Sequence, residues 1–202
     1  MPRDFHERLV VAYHGTERSI ARRVLLGEAE LVPSANDYDW LGHGVYFWEH
    51  GLARALDFAE AKRRRGVYED PFVIGAYLHL GRCLDLTDVW ATRHLADSYR
   101  QLRRAFARVG KPLPVNSRRV ARTGDVLFRR LDCAVINNCV DAFNAEERWL
   151  GRPRGFDTVR GVFEEGDAAF PGAATRVKSH VQIAVRNPAC ILGVFRPTGY
   201  SV

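Results

Sequence analysis

The chain has four cysteines, at positions 83, 133, 139 and 190, and no Cys-x-x-Cys pair among them. The spacing that structural zinc sites and dithiol redox motifs use is therefore missing, which fits a reduced cytoplasm. Seven histidines are present without ligand spacing; His43 and His50, for instance, are seven apart, which suits no common helical ligand pair. No metal is expected. No apolar run approaches the roughly 20 residues of a membrane helix. The opening Met-Pro-Arg-Asp-Phe-His-Glu-Arg mixes both signs of charge ahead of an apolar run too short for a signal core. A cytoplasmic protein without a membrane partner is the expectation. Internal repeats and low-complexity linkers are also lacking. With 202 residues, 47% of them hydrophobic and 27% charged, the chain can bury a sizeable core and reads as one domain over 1–202.

Periodicity gives alternating short strands and helices, hence an α+β class. A strand over 8–13 leads into a helix from Glu17 to about Leu26, with Ile20, Val24 and Leu25 at helical spacing. After a polar loop at 33–39 come the strand around Tyr46, a helix from Leu52 to Arg64 and a strand over 72–78. Leu131 to Trp149 reads as a helix with Leu131, Val135, Cys139 and Phe143 on one stripe. Strands at 156–163, 177–186 and 189–195 close the chain, the last two joined by a turn at Asn187-Pro188.

Charge is uneven. Between Asp88 and Arg130 stand eleven Lys/Arg (93, 100, 103, 104, 108, 111, 118, 119, 122, 129 and 130) against three Asp, although the whole chain carries only +6. Arg100, Arg103, Arg104 and Arg108 fall at helical spacing. Such a face is either solvated or the electrostatic footprint of a phosphate-rich or acidic partner. Lys62-Arg63-Arg64-Arg65, at a helix end, either joins that patch or complements the helix C-terminus.

Three short stretches carry chemistry. Leu9 to Tyr13 is a β-rich apolar run ending in His14-Gly15-Thr16, an imidazole, a glycine that permits a turn or a close backbone approach to a ligand, and a hydroxyl. In Asp39-Trp40-Leu41-Gly42-His43-Gly44-Val45-Tyr46-Phe47-Trp48-Glu49, two glycines precede an aromatic strand that closes on a carboxylate. Aromatic faces stack on flat heteroaromatic rings, and glycines let such a ring come close. Ser179-His180-Val181-Gln182-Ile183-Ala184-Val185 is the third.

In this order the three stretches resemble the conserved strands of the ADP-ribosyltransferase catalytic domain, in the class of diphtheria toxin and the poly(ADP-ribose) polymerases, and specifically stand-alone bacterial members. The resemblance spans Tyr13 to about Phe195, and only the three motifs are specific. It implies two packed, mainly antiparallel sheets with flanking helices around an NAD cleft. It implies NAD as co-substrate, with His14 on the adenosine ribose, Gly15 on the nicotinamide amide, Thr16 beside them, Tyr46 stacked on nicotinamide and Phe58 as a second aromatic wall. Gln182 takes the place where such enzymes usually have Glu, so the triad reads His14, Tyr46, Gln182.

That departure has a size. Cleaving the nicotinamide–ribose bond develops positive charge, and a carboxylate about 4 Å away contributes roughly 4 kcal/mol at an effective dielectric near 20. Its loss corresponds to about a thousandfold in rate. Gln orients hydroxyls but is no general base. Transfer of a single ADP-ribose to a nucleic acid or acidic protein, in the manner of a toxin or defence effector with a possible inhibitory partner protein, is therefore expected rather than chain elongation. Glu49 and Glu165 are the candidate substitute carboxylates. A silent NAD-binding or partner-binding module and an NAD glycohydrolase are the alternatives.

Overall fold

The structure, a computed structural model, describes residues 8–117, 125–152 and 155–198. In chain order the elements are β1 Leu9–Glu17, α1 Arg18–Leu25, β2 Val45–Glu49, α2 Leu52–Arg64, β3 Pro71–His79, β4 Cys83–Asp85, α3 Val89–Arg108, β5 Asn116–Ser117, β6 Phe128–Arg129, α4 Arg130–Trp149, β7 Thr158–Phe163, β8 His180–Val185 and β9 Ile191–Phe195. The class is α+β. Arg118, Arg119 and Arg122 of the basic segment and the opening charged residues before Arg8 lie outside the described residues.

Among the described residues one seven-stranded sheet, with a separate two-stranded β5–β6 ladder, stands where the resemblance implies two packed sheets. Seven strands run in the order β4-β7-β8-β2-β1-β3-β9, antiparallel throughout except for the parallel β4–β7 pair. The seam that makes it one is short. β1 and β2 pair through Ala12–Glu49 and Tyr13–Trp48, with His50 N–H donating to the Val11 carbonyl at 3.0 Å. Against β3, by contrast, β1 is paired along its full length from Leu9–His79 to Glu17–Pro71. Two sub-sheets are thus sewn together at one end of β1.

β1 also runs past the expected end at Tyr13, because Gly15 acts as a packing position and not as a turn. A Cβ at Gly15 would run into the Ala55 carbonyl of α2, and Ala55 and Ala59 are fully buried where the helix rests on the sheet. Small residues on both sides permit that close approach.

Alternation along the strands sorts the two faces. Val45, Phe47, Ile183 and Val185 pack with Val10, Ala12, Ala76 and Leu78 in one core. Tyr46 and Ala184 face the other, formed with Trp40, Leu41, Val159 and Phe163 and covered by Ile136, Cys139 and Val140 of α4. α3 lies on α4 and starts at Asp88, whose carboxylate accepts from Trp90 N–H; its Arg93, Arg100, Arg103, Arg104 and Arg108 are exposed. All four cysteines are unpaired and buried. Among the described residues no helix is long and apolar enough to cross a membrane.

Candidate functional site

A cleft of about 400 Å³ opens between α2, the second sheet face and the loop that joins β7 to β8. Its walls are aromatic, with Tyr38, Trp40, Tyr46, Trp48, Phe58, Phe128 and Phe163. Arg54, Lys62, Arg64, Arg65 and Lys178 supply cations, Asp39, Asp57 and Glu165 carboxylates, and His180 and Gln182 uncharged polar groups. The register explains the convergence. Tyr46 and Trp48 point to one side of β2, and Ala184 and Gln182 stand opposite them on β8.

Tyr46 is pinned at its far end. Its hydroxyl donates to the Gly42 carbonyl at 2.7 Å and accepts from Leu41 N–H at 2.9 Å, while burial holds the phenol well above its ordinary pKa and so protonated. The Gly42-His43-Gly44 turn that makes this possible needs its glycines, with φ of 76° and 154°. A side chain at Gly42 would meet Asn137 and Arg186, and one at Gly44 the Val185 carbonyl. These glycines shape the turn rather than admit a ligand ring.

His14 stands where β1 and β2 part. Its Nδ1 lies 2.7 Å from the Tyr46 carbonyl; the carbonyl only accepts, so Nδ1 carries the proton. Burial lowers the imidazole pKa and keeps the ring neutral. Neither His14 nor Gly15 nor Thr16 lines the cleft, and Thr16 is buried in a hydrogen bond with Tyr68. His14 reaches the cleft through the backbone of Tyr46. Phe58 does line it, against Trp48 with ring centroids 5.1 Å apart and with Lys62 over its face.

Gln182 is buried, and its Oε1 accepts from Trp40 Nε1 at 2.5 Å. Indole nitrogen only donates, which fixes the amide orientation and leaves the Nε2 donors without a partner among the described residues. The position therefore offers hydrogen-bond donors where a glutamate would offer an anion. Trp48 Nε1 is buried and has no hydrogen-bond partner among the described residues.

Glu49 must be reassigned. Three residues from Tyr46 on one strand, it faces the opposite side of the sheet, in the grip of Arg160: Nε to Oε2 is 2.6 Å and Nη2 to Oε1 3.2 Å. Arg160 also reaches Asp85 at 3.1 Å. Glu165 does line the cleft but is held by Arg54 at 2.8 Å. Arg54 also binds Asp57 at 2.5 Å, as does Lys178 at 2.9 Å. Burial raises the Asp57 carboxyl, and the Lys178 and Arg54 cations more than offset this, so it stays ionised.

His180, which sequence reasoning passed over, is a wall of the cleft. Its ring lies nearly parallel to Phe163 at 5.5 Å and 18°, with Trp48 at 6.2 Å. Its place two residues before Gln182, on the same strand face, was the available signal. The basic helix α3 contributes nothing to the cleft lining; the cleft cations come from α2, from Arg65 just past its C-terminus and from Lys178.

No protein-family model matches the chain, and no solved structure does. It is similar to an uncharacterized protein of Methanocaldococcus jannaschii, 24% identical over 196 residues that cover 89% of this chain and 83% of that one.

Proposed function

We propose that the protein is a mono-ADP-ribosyltransferase that cleaves NAD at the nicotinamide–ribose bond and passes ADP-ribose to a macromolecular acceptor. The observation that carries the reading is the meeting of Tyr46 and Gln182, from two motifs over a hundred residues apart in sequence, in one aromatic cleft rimmed by five cations. Flat heteroaromatic rings suit the walls and a pyrophosphate suits the rim. In this reading Tyr46 and Phe58 bind rings, His14 holds the Tyr46 backbone in place, and Gln182 donates to an oxygen of the sugar.

One observation favours a second reading, a silent NAD-binding module. Of the three cleft carboxylates, Glu165 and Asp57 are ion-paired and Asp39 accepts from the Asn36 backbone N–H and side-chain amide, and Gln182 carries no charge. Nicotinamide release from NAD by the pure protein, set beside NAD affinity by calorimetry, separates the two. The transferase reading expects release, and expects Gln182→Ala to lower turnover more than affinity. Gln182→Glu keeps an acceptor for Trp40 and is expected to raise NAD hydrolysis. Binding without release, in the presence and absence of a cell lysate, supports the silent module.

A further inference from the structure

A transfer that lacks a glutamate at the third motif still has to place a proton, and beside the carboxylates Asp39, Asp57 and Glu165 the cleft holds an imidazole arranged to take it. His180 Nδ1 lies 2.6 Å from the Lys178 carbonyl. The carbonyl only accepts, so Nδ1 carries the proton and Nε2 keeps its lone pair, with no partner among the described residues. The 3.4 Å approach of Arg54 Nε to the same Nδ1 is then a contact between two N–H groups, not a hydrogen bond. The ring is fixed in plane by Phe163 and Trp48, and it shares its strand face with Gln182, roughly 7 Å further along at two strand rises.

We propose that His180 Nε2 is the proton acceptor in ADP-ribose transfer, supplying the base that Gln182 does not. This rests on the NAD-cleaving reading above. An acceptor O–H attacks the ribose C1′; the O–C1′ bond forms as the C1′–N bond breaks, its electron pair leaving on the nicotinamide nitrogen. The hydroxyl proton moves to Nε2 and from there to solvent. With water as acceptor the same step yields free ADP-ribose.

The surroundings suit the task. Arg54 stands beside the ring, Glu165 and Asp57 are bound to Arg54 and Lys178, and Arg129 lies over Phe163 at 4.1 Å. Burial first, then Arg54 and Arg129, push the imidazole down to about 4. That is the proton affinity of an ordinary glutamate side chain, about 4.3. His180 thus matches the basicity of the residue missing at position 182 without carrying its charge.

The test uses NAD with water as acceptor, and measures nicotinamide release alongside NAD affinity by calorimetry. His180→Phe keeps the stack on Phe163 and removes both nitrogens. It should lower release about a hundredfold or more, the usual scale for loss of a general base, with affinity within about twofold. His180→Gly should fall similarly and regain about tenfold or more with millimolar imidazole, a response that a packing role would not give. Release within about threefold of wild type in either variant, a parallel loss of NAD affinity, or no rescue by imidazole overturns the assignment. Absence of release by the wild-type protein, with and without lysate, instead overturns the NAD-cleaving reading and this inference with it.

Discussion

The two faces of β2 carry polar groups of comparable density and opposite character. On one side Glu49, Arg160 and Asp85 form a network whose charges answer one another, with Glu49 and Arg160 each 13% exposed and Asp85 4%. On the other, among the described residues, Gln182 has unpaired amide donors, His180 an unpaired lone pair, and Trp48 an unpaired indole N–H. Of these only the Trp48 indole nitrogen is buried, where an unpaired polar group costs about 1–3 kcal/mol; the Gln182 and half-buried His180 groups open to the cleft. The closed face holds the fold, while the open face keeps hydrogen-bonding groups free toward the cleft.

Arg160→Met tests that division most severely. It strands two carboxylates against the core, and removing one partner of a buried pair costs about 3–5 kcal/mol. Chemical denaturation should show a loss of that size; under about 1 kcal/mol would mean that the closed face is not structural. The open face should reveal itself through pH. His180, held near 4 when folded, has an ordinary value near 6.5 when unfolded. The unfolded chain therefore binds the proton first, and the associated stability is present above pH 6.5 and lost as pH falls toward 4. Its ceiling is about 3 kcal/mol. The difference between wild type and His180→Phe across that window isolates it, and parallel pH curves would contradict the neutral ring.

Tyr46→Phe comes next. It leaves Leu41 N–H and the Gly42 carbonyl without their shared partner, for a loss of about 1–2 kcal/mol in stability, and should keep NAD affinity because the ring face remains. A large drop in affinity without destabilisation would show that the hydroxyl binds the ligand directly. The smallest effects concern charge. Arg64→Gln with Arg65→Gln should weaken NAD binding a few-fold at low salt and less at high salt. Replacing Arg100, Arg103, Arg104 and Arg108 with Gln should leave NAD cleavage alone and reduce acceptor labelling. Equal NAD effects from the two sets would erase the distinction between cleft cations and α3 cations.

Much of this was legible in the sequence. α2 spans Leu52–Arg64 as its pattern indicates, and the α4 stripe buries Val135 and Cys139. The Tyr46 and Gln182 motifs reach one cleft. Glu49 was misplaced although a period of two already sets it opposite Tyr46; an attractive carboxylate outweighed strand geometry. The glycine in His14-Gly15-Thr16 reads as a turn locally, and only the Ala55 carbonyl, forty residues on, shows it to be a packing contact. β4 is three residues long and pairs with β7 more than seventy residues away, a contact no local pattern encodes. His180 was hidden because imidazoles are read for metals and triads, whereas its role depends on which nitrogen a backbone carbonyl claims.

The brief β1–β2 ladder has a mechanical meaning as well. Where most neighbouring strands lock along their length, these two are fastened at one end, and the His14–Tyr46 bond is a single stitch beyond it. Shear or fraying along this line breaks few backbone bonds. Side chains carry the joint that the ladder does not: Val10 and Ala12 of β1 share a buried core with Val45 and Phe47 of β2, and Trp48 of β2 packs with Ala55 of α2 and Val73 of β3, so the sub-sheets are held together by packing from both faces more than by backbone hydrogen bonds.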